Sequence, residues 1–437
     1  MITPRTLKGF RDDLPDSMMV RERIMDLTRS VFRSFGFCPI DTPALEYLEI
    51  LSGKGSDETD KQLYKFTDHG GREVGLRFDL TVPFARFAAQ HIGELGTPFK
   101  RYHIAKVWRG ENTQSGRYRE FMQCDFDTIG TTSVVSDIET ALVINELLEK
   151  IVGPDFKIRI NNRKVLTGLL EELHLSDKTT LVLRSLDKLG KIGRKKVAEE
   201  MVQFAGTTAE QAEQVLKLTE LEGSNQDILD SLRPLIGENP TGLEGISKLE
   251  TLLDSIRRAG VPENRILIDV SIARGLDYYT GTIYETFLDE LPQIGSVCSG
   301  GRYDNLAELY TKQQLPGVGA SLGLDRLLAA LEQLGKLEKT LAPVDIFIPY
   351  FESSRLGDYL RIAAELRHNK FGVELYPEPK KIGQQLKYAD KRGFKFALII
   401  GENEFQKGVF QVKNLKDATS AEVPAAQLIE TLRAVVR

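Results

Sequence analysis

The sequence predicts an α+β protein: an antiparallel-sheet core, interrupted by an all-helical insertion and followed by a C-terminal α/β domain. Three observations carry this. His103–Arg109 and Phe121–Ile129 read as strands on either side of the turn-rich segment Gly110–Gly116, the pattern of an antiparallel pair. From about Val165 to Ala259 the texture becomes helical, charged and poor in aromatic residues. After Val344, strand-like and helix-like segments alternate, as in a compact α/β domain. The expected divisions are 1–164 for the first part of the core, 165–259 for the insertion, 260–335 for the second part and 344–437 for the last domain. Gly335–Pro343 reads as a polar hinge.

Each element has a local reason. Val20, Ile24, Leu27, Val31 and Phe35 recur at steps of three and four, which predicts a helix opened by Asp16 or Ser17 and stopped at Gly36. FGFCPIDTPALEY is a short extended run broken by Pro39 and Pro43. Val74, Leu76 and Phe78 alternate with their neighbours, so Glu73–Asp79 is expected as a strand. Asp137–Val152 is an apolar-periodic helix and Lys157–Ile160 a strand. Strand character returns at Ile266–Val270 and Thr282–Phe287. SGGRYDNL follows, and GVGASLGLDRLLAALEQLG passes from glycines into an amphipathic helix. The last domain reads as strand VDIFIPY, helix DYLRIAAELRHN, strand GVELYP, helix IGQQLKYADKRG, strands FALIIG and GVFQVKNL, and helix PAAQLIETLRAV.

Composition narrows the function classes. At roughly 150 residues per domain, 437 residues make about three folding units. Apolar content of 41% and charged content of 28% exclude disorder as the main state. No run of 18 apolar residues predicts a membrane span, and the N-terminus lacks the apolar stretch of a secretory signal. Cys38, Cys124 and Cys298 are too few and too scattered for a disulfide framework, and the five histidines show no metal spacing with them. A cytoplasmic protein without a structural metal is expected. The net charge of −5 is no nucleic-acid signature, but two basic stripes stand out. One is Lys100, Arg101, Lys106, Arg109, Arg117 and Arg119. The other is Lys380, Lys381, Lys387, Lys391, Arg392 and Lys395. Each suits phosphate, or is a solvated face.

Arg109 ends one strand, and GRYREF begins the return. Arginine presents a planar fork suited to an oxyanion, so this turn is a candidate phosphate clamp; a structural Arg–Glu pair is the alternative. Gln123, Asp125 and Asp127 fall on one strand face by the period of two. Carboxylates on a half-buried strand are costly unless they bind a ligand or pair with nearby arginines. ARGLDYYTGTIYE sets Arg274, Asp277, Tyr278 and Tyr279 beside Gly275 and Gly281, able to approach a small polar ligand or to pack between domains. Glycines before a helix in GVGASLGLDRL are a weak motif alone; Arg326 there can face a polyphosphate.

The order of these segments resembles the class II aminoacyl-tRNA synthetases, and within them the histidine-specific family. FCPIDTPALEY, with Pro43, is similar to their motif 1, WRGENTQSGRYREFMQCDFD to motif 2 and GVGASLGLDRL to motif 3. ARGLDYYTGTIYE and SGGRYDNL resemble blocks of the histidine-specific family, and LRFDLTVPFAR is a further family-like stretch. The resemblance spans the whole chain. It implies a class II catalytic core, an anticodon-binding C-terminal domain, and activation of histidine with ATP before transfer to tRNA.

The same resemblance implies roles. Arg109 and Arg274 are the catalytic pair near the α-phosphate, and both approach histidine. Asp79, Leu80 and Thr81, with Gln123, hold the α-amino end. Asp127 and Tyr279, with Tyr278 adjacent, take the imidazole. Many relatives carry Glu where Asp79 and Asp127 stand. Glu111 lies near the adenine, Arg117 near the outer phosphates and Arg326 on the γ-phosphate, with Mg²⁺ bridging phosphates. Gln114 approaches the acceptor end of a histidine tRNA. Lys380, Lys381, Lys387, Lys391 and Arg392 face that tRNA, where Tyr376 or Tyr388 stacks on a base or serves packing. A homodimer without membrane attachment is expected. The competing reading is a non-catalytic synthetase-like regulatory subunit of histidine biosynthesis; such relatives usually lack the last domain and part of the specificity loop.

Overall fold

The computed structural model describes residues 1–52, 57–186, 188–272, 278–337 and 341–435. It contains two compact units, Met1–Asp12 with Arg23–Leu337, and Asp13–Glu22 with Glu338–Arg437.

The first unit is built on an eight-stranded sheet. Its order is Cys38–Pro39, Phe99–Trp108, Glu120–Ile129, Gly317–Gly323, Cys298–Tyr303, Thr282–Leu288, Phe156–Asn162 and Ile266–Ile268. The six inner strands are antiparallel in succession, and the two outermost pair in parallel. The expected hairpin is present with an unbroken register from Phe99↔Ile129 to Trp108↔Glu120. It begins four residues earlier than the sequence suggests.

Local chemistry explains the shifted boundaries. The first helix spans Pro15–Ser34. Proline fits a first helical turn because its missing N–H is not needed there. The Ser17 hydroxyl donates to the Leu14 carbonyl at 2.9 Å, so the chain is already helical where Asp16 or Ser17 was expected to begin it. The next long helix, Val134–Val152, starts three residues early because Ser133 Oγ accepts the Val135 N–H. The strand expected over Glu73–Asp79 stops at Leu76, within a small sheet ordered Leu45–Tyr47, Glu73–Leu76, Lys65–Thr67. Asp79 cannot continue it. Its carboxylate accepts the N–H groups of Thr81 and Val82 at 3.1 and 2.9 Å and so opens the helix Thr81–Leu95.

The glycine-rich segment before Arg326 is a central strand rather than a loop. Glycine is required there by close approach. A Cβ on Gly300 would collide with the Gly319 carbonyl, and one on Gly319 with the Asp127 carboxylate. The helical stretch runs from Arg163, capped by Asn162, to Arg258. Its last helix, Pro240–Arg258, packs on the helix Arg163–Glu172 and on the core helix Val134–Val152. A Cβ on Gly168 would collide with the Gly242 backbone, and one on Gly242 with the Ile236 side chain.

The second unit carries a five-stranded sheet ordered Val373–Leu375, Ile346–Ile348, Phe396–Ile399, Val409–Asn414, Ser420–Pro424. The first three strands are parallel and the last two antiparallel. The edge strand Ser420–Pro424 and the short helix Glu402–Lys407 were not expected. Along Ser420–Pro424 only Val423 is buried, so no apolar alternation marks it.

Candidate active site

Two adjoining pockets lie on the eight-stranded sheet. The larger, of about 260 Å³, is lined by Asp79, Thr81, Arg109, Gln123, Asp125, Asp127, Tyr278, Tyr279, Ser299, Tyr303 and Ser321 among others. The smaller, of about 150 Å³, is lined by Glu111, Arg117, Ser296, Asp325 and Arg326. Arg109, Gln123, Ser299 and Ser321 line both, so one arginine serves two cavities.

Strand pairing sets the floor. Asp127 faces Arg101 on one neighbouring strand and Gly319 on the other, and Gly319 faces Gly301. The two glycines leave the space that a side chain would fill. A Cβ on Gly301 would stand 3.0 Å from the Tyr279 ring. The carboxylate of Asp127 sits 2.6 Å from Arg101 Nη2 and accepts the Tyr303 hydroxyl at 2.6 Å. Arg101 is wholly buried, over the Phe84 ring. Burial pushes the Asp127 pKa up, with Arg101 and the Tyr303 hydroxyl opposing. Burial likewise raises Asp79, with backbone N–H groups and Arg109 opposing. Asp127 therefore both pairs with an arginine and borders the cavity; the two sequence alternatives are not exclusive.

Arg109 is fixed by a backbone carbonyl and two aromatic rings. Its Nε donates to the Phe78 carbonyl at 3.1 Å, and its guanidinium lies 4.4 and 5.1 Å from the Phe78 and Phe121 ring centroids. Burial lowers its pKa, opposed first by Asp79. In the smaller pocket Arg326 Nη1 donates to the Ser296 carbonyl at 2.5 Å, and Arg117 stands 3.8 Å from Glu111. Gln114 lies on the turn, exchanging backbone hydrogen bonds with Arg117.

The sequence-predicted residues Asp79, Thr81, Arg109, Gln123, Asp127, Tyr278 and Tyr279 thus meet in one cavity, and Glu111, Arg117 and Arg326 in the next. Leu80 is fully buried and is not part of either lining; its carbonyl accepts Arg101 Nη2 at 3.4 Å. Arg274, with Asp277 and Gly275, lies outside the described residues. The sequence marked Arg101 only as one of a basic stripe, and did not mark Tyr303 or Ser321. Tyr303 stands in SGGRYDNL and Ser321 in GVGASLGLDRL, so the segments were marked but not these side chains. In the second unit Lys380, Lys381, Lys387 and Lys391 are exposed, and Lys380 pairs with Glu378 at 2.5 Å. Arg392 ends the helix Ile382–Arg392 and is partly exposed. Tyr376 and Tyr388 are partly buried around Phe347, and the Tyr388 hydroxyl donates to Glu374 at 2.7 Å.

Two family profiles match the chain: Histidyl-tRNA synthetase over residues 9–327 and Anticodon binding domain over 348–435. The chain is 64% identical to a Histidine--tRNA ligase of Rhodopirellula baltica, covering 99% of each. It is 46% identical to one of Wolinella succinogenes, covering 95% of each. It also resembles the crystal structure of histidyl-tRNA synthetase from Nostoc sp. PCC 7120, with a TM-score of 0.89 at 36% identity, covering 99% of this chain and all of that one.

Proposed function

The chain belongs to the histidyl-tRNA synthetase family, and on that premise we propose that its two adjoining pockets are where histidine and ATP meet. The chain is a histidine–tRNA ligase. It activates L-histidine with ATP to histidyl-adenylate and pyrophosphate, then transfers histidine to the 3′-terminal adenosine of its tRNA. The regulatory-subunit alternative has less support, since the matches cover both the catalytic and the anticodon-binding regions.

The observation that carries the assignment is Arg109, shared by the two cavities. Histidine sits in the larger one, its ring over Gly319 and Gly301 between Asp127 and Tyr279. Its ammonium meets Asp79, Thr81 and Gln123. A pocket that hydrogen-bonds a substrate N–H rejects analogues lacking it by about 10⁴–10⁵. ATP occupies the smaller cavity, with Glu111 toward the adenine and Arg117 and Arg326 toward the outer phosphates. A histidine carboxylate oxygen attacks the α-phosphorus, the bond to the β-phosphate oxygen breaks, and pyrophosphate leaves. Arg109, and Arg274 by family resemblance, take up charge developing on the α-phosphate. Such fixed donors stabilise the transition state without reorganising.

Among the described residues no cluster of three or more His, Cys, Asp or Glu side chains could hold a metal ion. Mg²⁺ held mainly by substrate phosphates needs no such cluster, only one or two carboxylates. Mg²⁺ enters with the ATP phosphates, and no step is assigned to it. The exposed lysines around the helix Ile382–Arg392 are assigned to tRNA phosphates, and Gln114 to the acceptor end. A homodimer is supported by exposed Leu45, Tyr47 and Phe66 on the small sheet. No helix among the described residues is long and apolar enough to cross a membrane; cytoplasmic residence accords with the synthetase role. ATP–pyrophosphate exchange tests the assignment. It should depend on histidine and on no other standard amino acid. Equal exchange with several amino acids, or none with histidine, would overturn it.

A further inference from the structure

Along the pocket floor runs a second polar row, two residues along the strands from Asp127 and Gly319. His103, Asp125, Ser321, Ser299 and Glu285 are successive cross-strand partners on five adjacent strands. Directly opposed residues in a sheet share a face, so these side chains form one line across the floor. Asp125 is buried, and its Oδ1 has no hydrogen-bond partner. Next to it, Gln123 Nε2 donates to Ser321 Oγ at 2.9 Å. Gln123 Oε1 is buried, borders both pockets and also lacks a partner.

We infer that Asp125, acting through the Ser321 hydroxyl, is a positioning residue that fixes which end of the Gln123 amide faces the histidine ammonium. The inference rests on the functional reading above. Donors and acceptors decide the orientation. A side-chain amide has an acceptor end and a donor end, and a hydroxyl has one proton and two lone pairs. An ionised carboxylate only accepts. Ser321 is the direct cross-strand partner of Asp125 and shares its face, and a charged carboxylate is the stronger acceptor, so the hydroxyl proton turns to it. Its lone pairs then face Gln123, which must present N–H to them. The Gln123 carbonyl oxygen is left for the pocket, where it accepts from a cationic substrate. Reversal of the amide would place two N–H groups against that cation.

The charged groups facing Asp125 are Arg101, Arg77, Arg109, Asp127 and Asp79, with His103 across the strand pair. Burial carries the Asp125 pKa up to about 7 against the pull of Arg101, and burial first, then Arg101, brings His103 down to about 4. Near pH 8 the carboxylate is ionised and His103 neutral, so the relay is set in one direction at that pH.

Kinetics of ATP–pyrophosphate exchange near pH 8 test this in the full-length protein. Ser321→Ala should raise the KM for histidine roughly tenfold or more, the scale of one hydrogen bond to a charged group. The KM for ATP should change little. In a Gln123→Ala background Ser321→Ala should add almost nothing, because its effect passes through Gln123. Gln123→Glu should make the enzyme insensitive to Ser321→Ala, since a carboxylate presents an acceptor either way. Asp125→Asn should raise the histidine KM as Ser321→Ala does, because asparagine can donate to Ser321 and free its proton for Gln123. Effects that multiply in the double variant, or equal rises in both KM values, would overturn the relay and leave the functional reading intact. Absence of histidine-dependent exchange in the unsubstituted protein would overturn both.

Discussion

Asp125 carries a cost that the fold alone gives no reason to keep. Its pKa lies near 7 in the folded chain because burial penalises the carboxylate, and Arg101 only partly offsets this. A folded pKa above the ordinary carboxylate value, 3.8, means the folded state holds a proton that the unfolded chain has released. Stability is therefore greatest below that ordinary value. It declines on the order of 1 kcal/mol per pH unit as pH rises toward the folded pKa. Asparagine at this position removes the term. Asp125→Asn should raise the melting temperature, and the gain should be larger at about pH 8 than at about pH 5. Calorimetry at both values checks it; an equal gain at each would place the carboxylate in a solvated setting. A stabilising substitution that weakens histidine use is the trade expected at a functional site.

At the scale of elements, the helix Ile382–Arg392 is where the division of labour is most exposed to test. Lys387 and Lys391 are exposed and one helical turn apart. Replacing both by Glu should weaken binding of the histidine tRNA and reduce the salt dependence of that binding, by about one slope unit per lost phosphate contact. Histidine-dependent pyrophosphate exchange should be unaffected, because both pockets lie in the other unit. Titrations of tRNA at several salt concentrations decide it; unchanged affinity and slope would remove this helix from the tRNA surface.

Elements were legible where one residue's neighbours in sequence decide its state. The hairpin Phe99–Ile129 was legible from the turn-rich segment between its strands, and the helix Val134–Val152 by its apolar period from Asp137 on. The edge strand Ser420–Pro424 was not, since pairing with Val409–Asn414 holds it and its own composition is polar. The pocket followed the same rule. Gln123, Asp125 and Asp127 were visible as one face because they share a strand. Arg101, Tyr303 and Ser321 join them from three other strands, and the register that brings them together is written in no single segment. Motif resemblance crossed that gap for Asp79 and Tyr279, whose place in the lining no local period indicates.

For the molecule as a whole, the sequence gives an acidic chain that must handle an anionic nucleotide and an anionic polymer. Net charge is −5, so the working cations have to be gathered locally. Arg109, Arg117 and Arg326 border the small pocket of the first unit, and the exposed lysines gather on the second. We place histidine in the large pocket, its ring at Asp127 and its carboxylate at Arg109, turned toward ATP in the small one. A crystal structure of the protein with histidine and a non-hydrolysable ATP analogue tests this most directly. An imidazole nitrogen should lie within hydrogen-bonding distance of Asp127, with the carboxylate and α-phosphate both against the Arg109 guanidinium. A histidine bound elsewhere, or one whose ring leaves Asp127 to Arg101 and Tyr303 alone, would contradict it.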